Sequence, residues 1–193
     1  METTTSDAIE IPGRDAAWEL LNAHTTQPGL LGHALAVEAA MRWYAAQLGE
    51  DVELWGCTGL LHDFDWEIHP TLEQHPADGA PMLREAGWPE VVVRAIQAHA
   101  PHTGVVPETN LERYLFACDE LSGFVVAVAR MRPEGFGGMK PKSVTKKLKT
   151  PSFAAGVSRE DVAHGCELIG LEPAEHIANV IEALAPISDQ LLV

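Results

Sequence analysis

No stretch of this chain approaches the roughly 18 continuous apolar residues that a membrane-crossing helix needs, and its first eleven residues carry no basic start leading into an apolar run. The expectation is a cytoplasmic protein with no membrane partner. Cysteine is scarce. Cys57, Cys118 and Cys166 are odd in number, far apart and set in apolar helical contexts, which speaks against a disulfide framework or a thiolate zinc site. Alternating Val/Ile/Thr runs are few, whereas Ala, Leu and Glu are plentiful. That balance predicts an all-α globular protein. A chain of 193 residues suffices for one sizeable core and is short for two, so 13–193 is read as one domain behind a polar, frayed lead-in at 1–12.

Positive charge is in short supply as well. The formal net charge of -15 repels a polyanion at long range and argues against a nucleic-acid polymer as partner. What lysine there is lies in one window: Lys140, Lys142, Lys146, Lys147 and Lys149, with Arg130 and Arg132 just upstream. Such a run is commonly a solvated basic loop offsetting an acidic body. Its nearness to Arg132 favours substrate binding, with Arg132, Lys142, Ser143 and Lys146 as candidates for holding phosphate oxygens.

Apolar periodicity and capping signals predict the helices. A short amphipathic helix covers 14–24. A second starts at Thr26 and Pro28 and stops at Gly49, with His33 in its first two turns. Asp51 caps a third, nearly all apolar, which delivers His62-Asp63 at its end. Residues 64–74 are irregular and polar. His75-Pro76 is expected to open a helix running to Gly87, and another runs from Pro89 to His99. Thr109 and Glu112 form a capping box for a long helix to about Met131, with Asp119 in its middle. A loop at 133–151 holds one short helix. Ser158 to Asp161 is read as a second capping box for a helix ending at Gly170, and a last helix follows Pro173.

His33, His62, Asp63, His75, His99 and Asp119 thus come from five helices, mostly at their ends or on an apolar face. A lone His beside an Asp at a helix end is usually a hydrogen-bonded histidine. Six such residues in one helical scaffold describe a metal site, of which Fe, Mn, Co and Zn are the suited ions. An acid in the apolar setting of Asp119 needs a partner, either a metal or an arginine. His69 is the alternative to His75. Asp65 and Glu67 are candidates for groups behind the ligands or for proton transfer, with solvated loop acids as the other reading.

The order His33, then His62-Asp63, then His75-Pro76 with Gly79, then His99, then Asp119 resembles the dinuclear subset of the HD-domain superfamily of metal-dependent phosphohydrolases. Ala36-Val37-Glu38-Ala39, Asp65-Trp66-Glu67, Asp119-Glu120-Leu121-Ser122-Gly123, Phe153-Ala154 and Ser158-Arg159-Glu160 extend the likeness to a little-characterised bacterial branch over nearly the whole chain. The resemblance implies an all-helical bundle with the metal site at its core. In it, His33, His62, Asp63 and Asp119 hold one divalent transition-metal ion while Asp63, His75 and His99 hold the other. The HD-GYP relatives carry paired histidines where His99-Ala100 stands here, so cleavage of a cyclic dinucleotide is not implied. The expected function is hydrolysis of a phosphate ester in a small molecule, a nucleotide or related metabolite. Asp63 would be central to the chemistry and Glu67 would assist the leaving oxygen. The alternatives are a dinuclear iron oxygenase with the same ligand order and a metal-containing ligand-binding regulatory module.

Overall fold

A helix that is apolar on every side must be enclosed by others. In the computed structural model, which describes residues 9–192, the run after Asp51 is such a helix. It is α3, Val52–Leu61, with Leu54 through Leu61 all buried. The Asp51 carboxylate accepts the N–H groups of Glu53 and Leu54, both at 2.9 Å, and so fixes its start. Around it stand α1, Arg14–His24, α2, Pro28–Leu48, α5, Glu90–Ala98, and α6, Asn110–Arg130. The remaining helices are α4, Gly79–Glu85, α7, Pro141–Leu148, α8, Arg159–Ile169, α9, Pro173–Leu184, and α10, Ser188–Leu191. Among the described residues there is no strand, as the all-α expectation required. Residues 1–8 of the expected lead-in lie outside the described residues.

Most predicted boundaries agree with the structure to within a residue or two. Gly49, at φ 72, ends α2 in the left-handed conformation that glycine adopts without strain. Thr109 and Glu112 form the expected capping box. One helix start differs: the helix expected at His75-Pro76 begins at Gly79, because the chain turns through 71–78 before its regular hydrogen bonding starts. The second expected box is half made. Ser158 Oγ accepts the Asp161 N–H at 3.1 Å, with no return bond from the Asp161 carboxylate to the Ser158 backbone.

Two features lock the helices together. The Glu38 carboxylate, 5% exposed, is gripped by both arms of the Arg14 guanidinium at 2.7 and 3.0 Å and by Arg42 Nε at 2.9 Å. Arg42 also reaches Glu53 at 2.8 Å. One buried anion with two hydrogen-bonded cations therefore ties α1, α2 and α3 in register. The second feature is His176 on α9, fully buried. Tyr44 O–H donates to its Nδ1 at 2.6 Å, and its Nε2–H donates to the Ala117 carbonyl at 2.9 Å, joining α9 to α2 and α6.

Helix α8 approaches α6 closely because residue 165 is glycine. A Cβ there would stand 2.8 Å from the Ala117 Cα. Gly165→Ala should push α8 off α6 and cost about 1–3 kcal/mol, read as a drop of several degrees in the thermal midpoint; an unchanged midpoint contradicts the close packing.

Burial pushes the His176 imidazole down to about 4, whereas in the unfolded chain it titrates near the ordinary value of about 6.5. The unfolded state therefore binds the extra proton first. The stabilisation is complete above about 6.5 and is lost as pH falls toward 4, roughly 3 kcal/mol in all. His176→Gln keeps an acceptor for Tyr44 and a donor for Ala117 but cannot titrate. Its urea midpoint should fall less than that of the parent between neutrality and about pH 4.5, and parallel curves would remove His176 from the pH response.

Candidate metal centre

The end of α3 places His62 and Asp63 where a wholly buried helix opens into a cavity. The His62 ring is fully buried and its Nδ1–H donates to the Gly59 carbonyl at 2.8 Å. That bond fixes the neutral tautomer, and Nε2 turns its lone pair inward. His99, at the end of α5, is held in the same way by the Ile96 carbonyl. His75 donates its Nδ1–H to Asp65 Oδ1 at 2.8 Å. In all three, anchoring Nδ1 leaves Nε2 free to act as a ligand.

These nitrogens gather in two groups. His33 Nε2 is 3.1 Å from His62 Nε2 and 2.9 Å from Asp119 Oδ1, and His62 Nε2 is 3.3 Å from the same oxygen. Asp63 Oδ2 lies 3.5 Å from His62 Nε2 and 3.8 Å from His33 Nε2. The other oxygen, Oδ1, is 3.2 Å from His75 Nε2 and 3.5 Å from His99 Nε2. Donor atoms about 3.0 to 3.5 Å apart are what an ion with ligand bonds near 2.1 Å draws around itself. His33, His62 and Asp119 could hold one metal ion, and Asp63, His75 and His99 could hold another. All six residues expected as ligands are therefore brought together, with Asp63 turning one oxygen to each group.

Charge points the same way. Burial alone would raise the Asp63 and Asp119 carboxyls, but the surrounding imidazoles outweigh it, and both are held well below the usual carboxylate range. Burial likewise pushes His62 and His75 down. The facing aspartates prevail and raise each to about 9. Two ionised carboxylates thus demand positive charge at their centre, supplied by protons or by a metal that displaces them. The residues present fit a divalent metal.

Asp65 stands behind this set. Fully buried, it accepts from His75 and also from His69 Nδ1 at 3.3 Å, and Gly79 makes its place: a Cβ there would sit 2.6 Å from the Asp65 carboxylate. His69 therefore stands behind the two groups, and it is His75 that is brought together with Asp63 and His99. His102 Nε2 meets the His75 carbonyl at 2.7 Å, and the Trp66 ring packs edge-on against His75 at 5.0 Å.

A cavity of about 390 Å³ opens onto the ligand groups. Its walls include Trp66, Leu72, Phe116 and Val157, and also Glu120 and Asp161. Burial first, then the neighbouring Asp119 charge, pushes the Glu120 carboxyl up to about 7. The sequence reading had missed Glu120 and Asp161. Glu120 is a second acid in an otherwise apolar helical run and could have been noticed, whereas Asp161 was masked by its position in a cap.

Besides the fully buried His62, five expected site residues do not line this cavity. The Glu67 carboxylate accepts from Thr26 Oγ1, Thr26 N–H and Gln27 N–H at 2.7 to 3.1 Å, which holds its carboxyl below the usual range and caps α2 from 40 residues away. Arg132 donates to the carbonyls of Gly135 and Gly137 at 2.9 and 2.8 Å and so shapes its own loop. Lys142 and Lys146 are exposed on α7, with Ser143 half-buried beside them.

The fold and donor set define an all-helical protein with a histidine–aspartate metal centre. Residues 30–123 match the HD domain family, so the chain carries an HD domain over that segment. The matched segment contains all six ligand candidates. The chain is similar to Ribonuclease Y of Desulfotalea psychrophila, 35% identical over 95 residues that make up 49% of this chain and 18% of that protein. It is also similar to Ribonuclease Y of Nitratidesulfovibrio vulgaris, 34% identical with the same coverage, and of Staphylococcus epidermidis, 29% identical over 134 residues, or 60% and 25%. The chain thus spans under a fifth of the length of the first two relatives. No solved structure matches at the same stringency. No described helix is long and apolar enough to cross a membrane.

If Asp65 orients His75, Asp65→Asn should weaken divalent-metal binding by about 10- to 100-fold, with the helical circular dichroism retained. Gly79→Ala, which crowds the same carboxylate, should act in the same direction. Calorimetric titration with Zn and Mn measures both, and parent-like affinity in Asp65→Asn would show that His75 needs no such support.

Proposed function

We propose that this chain is a metal-dependent hydrolase that cleaves a phosphate ester of a small molecule, with two divalent ions shared by the Asp63 carboxylate. The observation that carries this reading is the placement of the two Asp63 oxygens, one toward His33, His62 and Asp119 and the other toward His75 and His99. Two ions at such a spacing would supply Lewis acidity to the phosphoryl oxygens and make water a nucleophile near neutral pH. The chain's own part is to hold the donors rigid. The Nδ1 bonds to Gly59, Ile96 and Asp65 fix three imidazoles in rotation and leave Nε2 as the nitrogen that would meet an ion. Trp66, Leu72, Phe116 and Val157 give the cavity part of its apolar lining.

A small substrate is favoured over RNA, although the relatives are named as ribonucleases. The net charge is -15, and the cavity has no Lys or Arg among its lining residues, whereas a polynucleotide needs cations along its track. The lysines of α7 have no part in this reading.

Phosphate release from a panel of phosphorylated metabolites should persist under anaerobic conditions with Zn or Mg, and in heavy-oxygen water the label should enter phosphate. Asp63→Ala should abolish both turnover and metal binding. Strict dependence on iron and dioxygen would instead establish the oxygenase alternative, and cleavage of RNA with no small-molecule turnover would overturn the choice of substrate.

A further inference from the structure

A second cavity, of about 340 Å³, adjoins His33. Gly29 and Gly32 in the first two turns of α2 form one wall, Val126, Ala127 and Arg130 on α6 form another, and Phe153 stands beside them. His33 and Gly123 line both this cavity and the one at the donor groups. The two follow one another along a single face of α6. Phe116, Asp119 and Gly123 border the first, and Gly123, Val126 and Arg130 continue along the second, at the three- and four-residue spacings that keep side chains on one side of a helix. From Gly123 to Arg130 that face extends about 10 Å. At its far end Arg130 is tied through Nε and Nη2 to the Leu191 carbonyl at 3.2 and 2.8 Å.

Nothing inside the protein calls for glycine at 29 or 32. Both lie in a helix, where glycine is less favourable than alanine. Neither takes a positive φ, and a Cβ on either would meet no atom within 4 Å. Their bare backbone keeps the cavity open. Gly123 stands where the two cavities meet, and a Cβ there would lie 3.4 Å from His33 Nδ1. That edge of His33 is unengaged. His62, His75 and His99 each donate from Nδ1 to a protein oxygen, whereas His33 bonds through Nε2 and its Nδ1 makes no hydrogen bond among the described residues. The second cavity has no acidic side chain in its lining. Met131, which also lines it, is 66% exposed, so apolar surface there lies open to a ligand.

We infer that this second cavity receives the far part of the substrate's organic group, an uncharged, apolar chain that leaves the reacting phosphate, passes His33 at Gly123 and runs along α6 toward Arg130. A polar chain would give up water against Val126, Ala127 and Phe153 at a cost. Each methylene buried there strengthens binding by about three- to fourfold. The inference rests on the phosphohydrolase reading for the phosphate end only. Gly32 and Ala127, on neighbouring helices, are then specificity-determining positions.

A binding test reads this without turnover. Zn-loaded protein is titrated calorimetrically with ethylphosphonate and octylphosphonate, which share the anionic end and differ in chain length. Octylphosphonate should bind at least about tenfold more tightly. Gly32→Leu and Ala127→Leu each put a side chain into the second cavity, and each should lower that preference below about threefold with the helical circular dichroism retained. Ala127 is about two turns from Asp119, so Ala127→Leu is decisive where Gly32→Leu disturbs zinc uptake at His33. Equal affinity for the two phosphonates in the parent overturns the inference, as does a preference that survives Ala127→Leu. A parent dimer that Ala127→Leu converts to a monomer in sedimentation velocity also overturns it, because a second copy would then occupy the cavity. If octylphosphonate is preferred and no alkyl phosphate is hydrolysed, the inference stands and the hydrolase reading fails. If alkyl phosphates are hydrolysed with a kcat/KM indifferent to chain length, the hydrolase reading stands and the inference fails.

Discussion

The carboxylate of Asp63 faces two groups of imidazole nitrogens at once, and the architecture around it can be traced to keeping it there. An ionised carboxylate at the end of a buried helix is tolerable only where positive charge is arranged around it. His62, His75 and His99 can accept a cation at Nε2 because their other nitrogens are tied down by Gly59, Asp65 and Ile96. Those ties in turn depend on backbone positions. Gly59 sits where α3 crosses α2 so closely that a Cβ would stand 2.9 Å from Met41 Cγ. The crossing is held by Glu38 and its two arginines, and the Tyr44–His176–Ala117 chain fixes α2 against α9 and α6. Rigidity at the centre is therefore a property of four or five helices together, as expected when ligands project inward from a helical scaffold.

Helix positions and the residues gathered into the two donor groups were legible in the sequence for one reason. Both are local: apolar periodicity, caps and breakers mark helices, and His or Asp at a helix end or on an apolar face stands out within its own neighbourhood. His33, His62, Asp63, His75, His99 and Asp119 all had that property. Partners chosen across long separations were not legible. Glu67 looked like a proton donor because it follows Asp63 and Asp65 in an irregular stretch, but its carboxylate crosses to Thr26 and Gln27 and binds the N–H groups of the two residues that lead into α2. Arg132 looked like a phosphate ligand because it adjoins the lysines, but the carbonyls of its own glycine-rich loop stand within its reach. The free N–H groups of a helix start and the free carbonyls of a loop compete for charged side chains, and a linear reading does not see those competitors.

The motif at 153–159 shows the converse. Phe153-Ala154 and Arg159-Glu160 were noticed only for their resemblance, and Ser158 beyond that only as a helix cap. In the structure Arg159 gathers three carbonyls of that segment, Ala154 takes a positive φ of 43, and Val157 and Asp161 reach the cavity. A non-glycine residue in the left-handed region costs free energy, of order 1 kcal/mol, and is retained where surrounding bonds over-determine it. Arg159 supplies those bonds. The loop is thus a built wall of the cavity, and its shape is set by the same guanidinium that would otherwise neutralise the acids nearby.

The division between ligands and wall bears on how far similarity to ribonucleases extends. The segment that matches the HD domain carries the donor residues, and on the reading proposed above the ions they would hold act on a phosphoryl group whatever is attached to it. What is attached is sensed by the rest of the cavity. An ester of a small molecule meets the divalent charge with its phosphate, and its remaining atoms meet Trp66, Phe116, Glu120 and Asp161 within a space of about 390 Å³. A polynucleotide brings further phosphates on both sides of the reacting one, at spacings that no arrangement within such a cavity can avoid. Each would lie against a protein of net charge -15 with no Lys or Arg in the cavity lining, and the repulsion grows with every nucleotide while the attraction at the centre does not. On the proposed reading the same ligand order serves opposite substrate classes, and the charge carried by the rest of the protein decides between them.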